Sequence, residues 1–89
     1  MQIKKGFVMQ KIAGRTVVVS TGELSKEFHG MIELNETAAF IWNGVAEGKQ
    51  PQFIAEELSS EYGIALEKAQ NDVGKMIDQM IAGGVVEDA

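Results

Sequence analysis

The stretch "GMIELNETAAFIWNGVAEG" (Gly30–Gly48) decides how the chain is read, because its hydrophobic period changes in the middle. Phe28, Gly30, Ile32 and Leu34 alternate with His29, Met31 and Glu33, the period-two pattern of a short strand whose register the sheet would set. At Asn35 the period becomes helical. Asn35 suits an N-cap, since its side-chain oxygen can accept from an orphan amide of the first turn, and Glu36 favours the positive end of the helix dipole. Ala38, Ile41, Trp42 and Val45 then fall at i, i+3, i+4 and i+7, and Gly48 suits the C-terminal cap.

Toward the N-terminus, Phe7–Ala13 reads as an imperfect strand with Phe7, Met9 and Lys11 on one face and Val8, Gln10 and Ile12 on the other. Gly14-Arg15 is a tight-turn candidate. "TVVVS" (Thr16–Ser20) is rich in the β-branched residues that fit a pleated surface, so the two runs predict a hairpin. "TGELSKEF" (Thr21–Phe28) reads as a polar connection.

Toward the C-terminus, Pro51 fits the first turn of a second helix with the stripe Ile54, Leu58 and Tyr62 and its stop at Gly63. A third, longer helix carries Leu66, Ala69, Val73, Met76, Ile77 and Met80 on its predicted buried face. Gly83-Gly84 closes it before a short "VVEDA" tail. Three strands followed by three helices predict an α+β fold with a three-stranded antiparallel sheet, and with two helices joined by a Gly-containing turn the outline is winged-helix-like.

The 89 residues are expected to form one domain spanning 1–89, with a modest core and no cysteine to staple it. "MQIKKGFVMQKIAG" lacks the unbroken apolar segment of a signal peptide, and no run approaches the roughly 20 residues of a membrane-spanning helix. The expectation is a soluble, cytoplasmic protein that binds no membrane. Net charge is -5 and divided: residues 1–26 carry five basic groups and one acid, residues 27–89 three basic and twelve acidic. The helical part is the acidic part, and it would repel the phosphates that a nucleic-acid binder must attract.

Catalysis needs a nucleophile, a positioned base or a metal, and the chain has one histidine and no cysteine. His29 has no second histidine at ligand spacing and reads as a strand-surface residue. The neighbouring acids Glu56-Glu57 and Glu87-Asp88 read as solvated charge, and the glycines do not form a phosphate loop. No catalytic residue, metal site or cofactor is expected. Gly30 weakens a strand unless a bulge or a close backbone approach compensates, and an incoming strand would be such an approach. Methionines, among them Met31, Met76 and Met80, fill cores but also serve adaptable binding surfaces. Trp42 reads as the anchor of the core.

With "LNETAAFIWNGVAEGKQ" placed at a strand-to-helix junction, the chain resembles the PqqD-like family, small proteins similar to coenzyme PQQ synthesis protein D. "GFVMQKIAGRTVVV" resembles the opening hairpin, and "FIAEELSSEYG" with "AQNDVGKMIDQMIAGGVV" the closing helices. Asn35, Thr37 and Trp42, followed by Gly48, carry most of the likeness. The resemblance implies a recognition element for ribosomally made precursor peptides, whose leader adds to the third strand and lies between it and the third helix. A modifying enzyme, often a radical SAM enzyme, then acts on the peptide core. On this chain the docking strand would be Phe28, His29, Gly30, Met31, Ile32 and Glu33, and the groove wall Lys68, Asp72, Met76 and Gln79.

Such docking needs an open strand edge and no catalytic groups, which agrees with the residue inventory. Members dedicated to PQQ tend to carry a leucine-rich run ending in Pro-Glu where this chain has "STGELSKEFHGMIEL". That departure points to another peptide system, such as a lasso or thioether-bridged peptide, and the free-standing chain to a chaperone acting in trans. Two other readings stand beside it. A winged-helix nucleic-acid binder is opposed by a third helix offering Lys68 and Lys75 against Glu67, Asp72 and Asp78. A self-associating module, or homodimer, would use the same open edge for a second copy.

Overall fold

The β-branched run predicted as a strand forms the middle of a sheet. In the computed structural model, which describes residues 2–4, 6–20 and 31–87 (Met31 and Glu87 by backbone alone), the elements run β1 (Gln2–Ile3), β2 (Phe7–Ile12), β3 (Arg15–Ser20), β4 (Met31–Leu34), α1 (Glu36–Ala46), α2 (Pro51–Tyr62), α3 (Leu66–Ala82) and β5 (Val86–Glu87). The sheet has the order β2-β3-β4 and is antiparallel throughout, with Met9, Val18 and Ile32 aligned across it. The fold is α+β, a three-stranded antiparallel sheet followed by three helices. The expected strand segment Phe28–Gly30 lies outside the described residues.

The hairpin turn falls one residue earlier than expected. Ile12 pairs with Arg15, leaving Ala13 (φ 53°) and Gly14 (φ 79°) as a two-residue loop. Two positive φ values match the loop to the right-handed twist of its strands, so Arg15 is free to begin β3. A second difference is at the chain's ends. Val86–Glu87, expected as a tail, pairs antiparallel with Gln2–Ile3, and the Lys4 amide donates to the Val85 carbonyl at 2.8 Å.

Cross-strand pairing gives the sheet two unlike faces. Phe7, Met9, Val18, Ile32 and Leu34 share the face toward the helices, whereas Val8, Gln10, Ile12, Val17 and Glu33 share the outer one. On the inner face Val18 and Leu34 join Ile41, Trp42 and Val45 of α1, Ile54 and Leu58 of α2, and Val73, Ile77 and Met80 of α3 in the core. Trp42 packs edge-on to Phe7, ring centres 6.1 Å apart. Gly44 lets α2 approach α1 closely: a Cβ there would meet Ile54 Cγ1 at 2.8 Å.

Leu66, expected on the buried face of α3, is 42% exposed. Its angle on the helical wheel suits the stripe, but Leu66 stands at the very start of α3, where packing covers it incompletely, whereas Ala69 three residues on is fully buried. Met76 and Tyr62 are half-buried rather than buried.

Candidate functional site

β4 ends the meander, so one of its edges pairs with β3 and no described strand pairs with the other. Alternate residues of an antiparallel strand direct their N–H and C=O groups to each side, so that edge presents main-chain donors and acceptors. Asn35 terminates the strand and starts α1 in one step. Its Oδ1 accepts from the Ala38 amide at 2.8 Å and from the Thr37 hydroxyl at 3.1 Å. This cap ties the end of β4 directly to the first turn of α1.

Beside the free edge runs a groove whose far wall is α3. Its apolar part, about 340 Å³, is lined by Ile32 and Leu34 of β4, Ala38 and Trp42 of α1, Met76, Gln79 and Met80 of α3, and Gly83 and Val85 beyond it. Ile32 faces inward but is 40% exposed, because its side of the sheet opens here onto the groove instead of a packed helix. The end of α3 shapes the groove's other limit. Gly84 (φ 72°) reverses the chain, with its amide on the Ile81 carbonyl and the Val85 amide on the Met80 carbonyl at 2.8 Å. That pairing is a Schellman motif, and it brings the apolar side chains of Met80 and Val85 together, both nearly fully buried.

The groove continues past Asn35 into a polar part of about 310 Å³, lined by Thr37, Ala38, Ile41, Lys68, Asp72, Lys75, Met76 and Gln79. Lys68 and Asp72 neutralise each other at 3.1 Å, one turn apart on the helix. Lys75 makes no ion pair among the described residues.

The anticipated residues fall out as follows. Ile32, Lys68, Asp72, Met76 and Gln79 come together around the groove. Met31 lies in β4 opposite Val19. Glu33 also lines the groove, though it shares the outer sheet face with Val17, where its carboxylate meets Arg15 at 3.5 Å. Phe28, His29 and Gly30 lie outside the described residues. The sequence reading missed Ala38, Lys75, Met80, Gly83 and Val85 as groove residues. Ala38 carried a signal, being the smallest member of its stripe, and the double glycine marked the reversal that seats Val85 against Met80 at the end of the groove.

A larger concavity, about 710 Å³, lies between the hairpin tip and α1, with Lys11, Arg15, Glu36, Asn43 and the edge-to-face pair Phe40–Tyr62 around it. It is more polar and does not follow the free edge. Among the described residues no group of three or more His, Cys, Asp or Glu could hold a metal ion, and no helix is long and apolar enough to cross a membrane.

A strand edge that no described strand pairs with, alongside an apolar groove, is a geometry able to accept an extended segment. The chain belongs to the family of coenzyme PQQ synthesis protein D (PqqD), which it matches over residues 15–86. Two solved structures share its fold. One, described as TbiB1 in complex with the TbiA(beta) leader peptide, superposes with a TM-score of 0.79 at 20% identity, over 100% of this chain and 98% of the other. Another, a lasso peptide synthetase B1 complexed with the leader peptide, gives 0.78 at 21% identity, over 98% and 96%. No curated protein sequence matches the chain significantly.

Proposed function

We propose that this protein is a non-catalytic peptide-binding chaperone, which captures the leader of a ribosomally synthesised precursor peptide as an added strand on β4 and presents it to a modifying enzyme. The observation that carries the reading is the edge of β4 that no described strand pairs with, running beside the groove of Ile32, Trp42, Met76 and Met80. Main-chain hydrogen bonds to such an edge supply affinity, and pockets for alternate side chains supply selectivity. Family membership supports it, as do two proteins of the same fold solved with leader peptides bound. In this reading the chemistry belongs to the partner, for which a radical SAM enzyme is the proposed class. The product is a modified peptide of RiPP or PQQ type, with the departure of residues 20–34 from the PQQ-dedicated pattern favouring the former, and the complex forms in the cytoplasm.

The test is an amide NMR titration of labelled protein with the leader segment of the short precursor encoded nearest its gene. Saturable shifts are expected from Met31 to Glu33 and from Lys68 to Met80, and Met76→Glu should weaken them without unfolding the domain. Shifts confined to the outer sheet face, or undiminished binding by Met76→Glu, would overturn the groove. Light scattering without peptide checks the competing occupant of the same edge, a second copy of the chain.

A further inference from the structure

Resting on the leader-binding reading, we infer that this groove selects a leader in which an acidic residue stands two positions before an apolar one, with Lys75 receiving the acid. The groove has two chemically distinct parts in a fixed order. Around Ile32, Trp42, Met80 and Val85 it is apolar. Past Asn35 it is polar, and Lys75 is exposed there without an ion-pair partner among the described residues, whereas the charge of Lys68 is already met by Asp72. The local excess is therefore one positive charge, on a helix whose surroundings are otherwise acidic. A carboxylate is the group that complements it.

The order follows from strand polarity. Every pairing in the sheet is antiparallel, and a strand added to β4 in the same sense continues that pattern with better-aligned hydrogen bonds than a parallel one. β4 runs from Met31 toward Asn35, so an antiparallel leader enters at the Asn35 end and leaves past Ile32. It meets the polar part first. Lys75 and Met80 are five residues apart on α3, about 7.5 Å along its axis. Two strand residues cover roughly 6.6 Å and return the side chain to the same face. The acid thus precedes the apolar residue by two.

The experiment is selection from a display library of random short peptides against the whole protein and against Lys75→Glu, a change at an exposed side chain. The wild type is expected to enrich acid–any–apolar sequences, favouring the acid roughly two- to fivefold over its amide. Lys75→Glu should abolish or reverse that preference toward Lys or Arg while the apolar preference persists. Enrichment of the apolar residue alone, of the acid after it, or of the same acid by Lys75→Glu would overturn the inference and leave strand addition standing. Failure of both proteins to enrich any peptide would instead overturn the leader-binding reading, and this inference with it.

Discussion

Asn35 holds two groups of the first turn of α1 on one side-chain oxygen, the Ala38 amide and the Thr37 hydroxyl. Asn35→Ala removes that acceptor and should cost about 1 kcal/mol, read as a lower denaturant midpoint with unchanged slope, and Asn35→Asp should restore most of it. Gly44 is sensitive in the opposite sense. It is a helix-interior glycine whose propensity cost is offset by the contact it permits, and Gly44→Ala would drive a methyl group against the fully buried Ile54, costing roughly 1–3 kcal/mol. Tyr62 reports on its own packing because it is the chain's single tyrosine. Partial burial, then the nearby charges of Glu36 and Glu61, raise its phenol above the ordinary 10.0. A raised folded-state value means that the contribution of this group to stability is present below pH 10.0 and lost as pH rises through the folded-state value. An ultraviolet titration should show a midpoint above that of the unfolded chain, and a midpoint at or below it would contradict the packing of Tyr62 against Phe40.

At the scale of elements, the end of α3 joins stability to the site. Gly84 occupies a left-handed conformation that a Cβ disfavours, so Gly84→Ala should cost about 1 kcal/mol. It should also weaken peptide binding, since the reversal at Gly84 is what seats Val85 against Met80 at the apolar end of the groove. Loss of stability with full affinity would separate the two effects and refute the link. The β2–β3 loop offers a change of the other sign. Ala13 sits at φ 53° in a two-residue loop that favours asparagine there, so Ala13→Asn should raise stability by about 1 kcal/mol and leave the distant groove unaffected.

At the scale of the whole molecule, charge and chain ends matter. Residues 1–26 carry +4 and residues 27–89 carry -9, and α3 itself offers Lys68 and Lys75 against Glu67, Asp72 and Asp78, so the helix that a nucleic-acid binder would place in a groove is a repelled one. No gel shift with duplex DNA is expected even at low salt, and a salt-sensitive shift would reopen that reading. The β1–β5 ribbon ties the first residues to the end of α3 through Ile3, which packs on the core, and the Lys4–Val85 hydrogen bond.

The sequence by itself determined the three strands of the sheet and the three helices, and their order, because each is written in local chemistry: the alternation in "MIEL", the cap at Asn35, the stripe through Ile41 and Trp42, and the stop at Gly63, which adopts φ 64°. It also carried the family, since the signature residues lie together in one short stretch. Leu66 shows where local pattern stops, for its place on the wheel was right and its burial was not. The tertiary structure alone decided what lies opposite what: that Ile32 opens onto a groove, that Val86–Glu87 pairs with the chain's first residues, and that Lys75, with no ion-pair partner among the described residues, lines the polar part of that groove. These are contacts between residues far apart in the chain, and the distance between them depends on how helices and sheet pack, which no single stretch of sequence specifies.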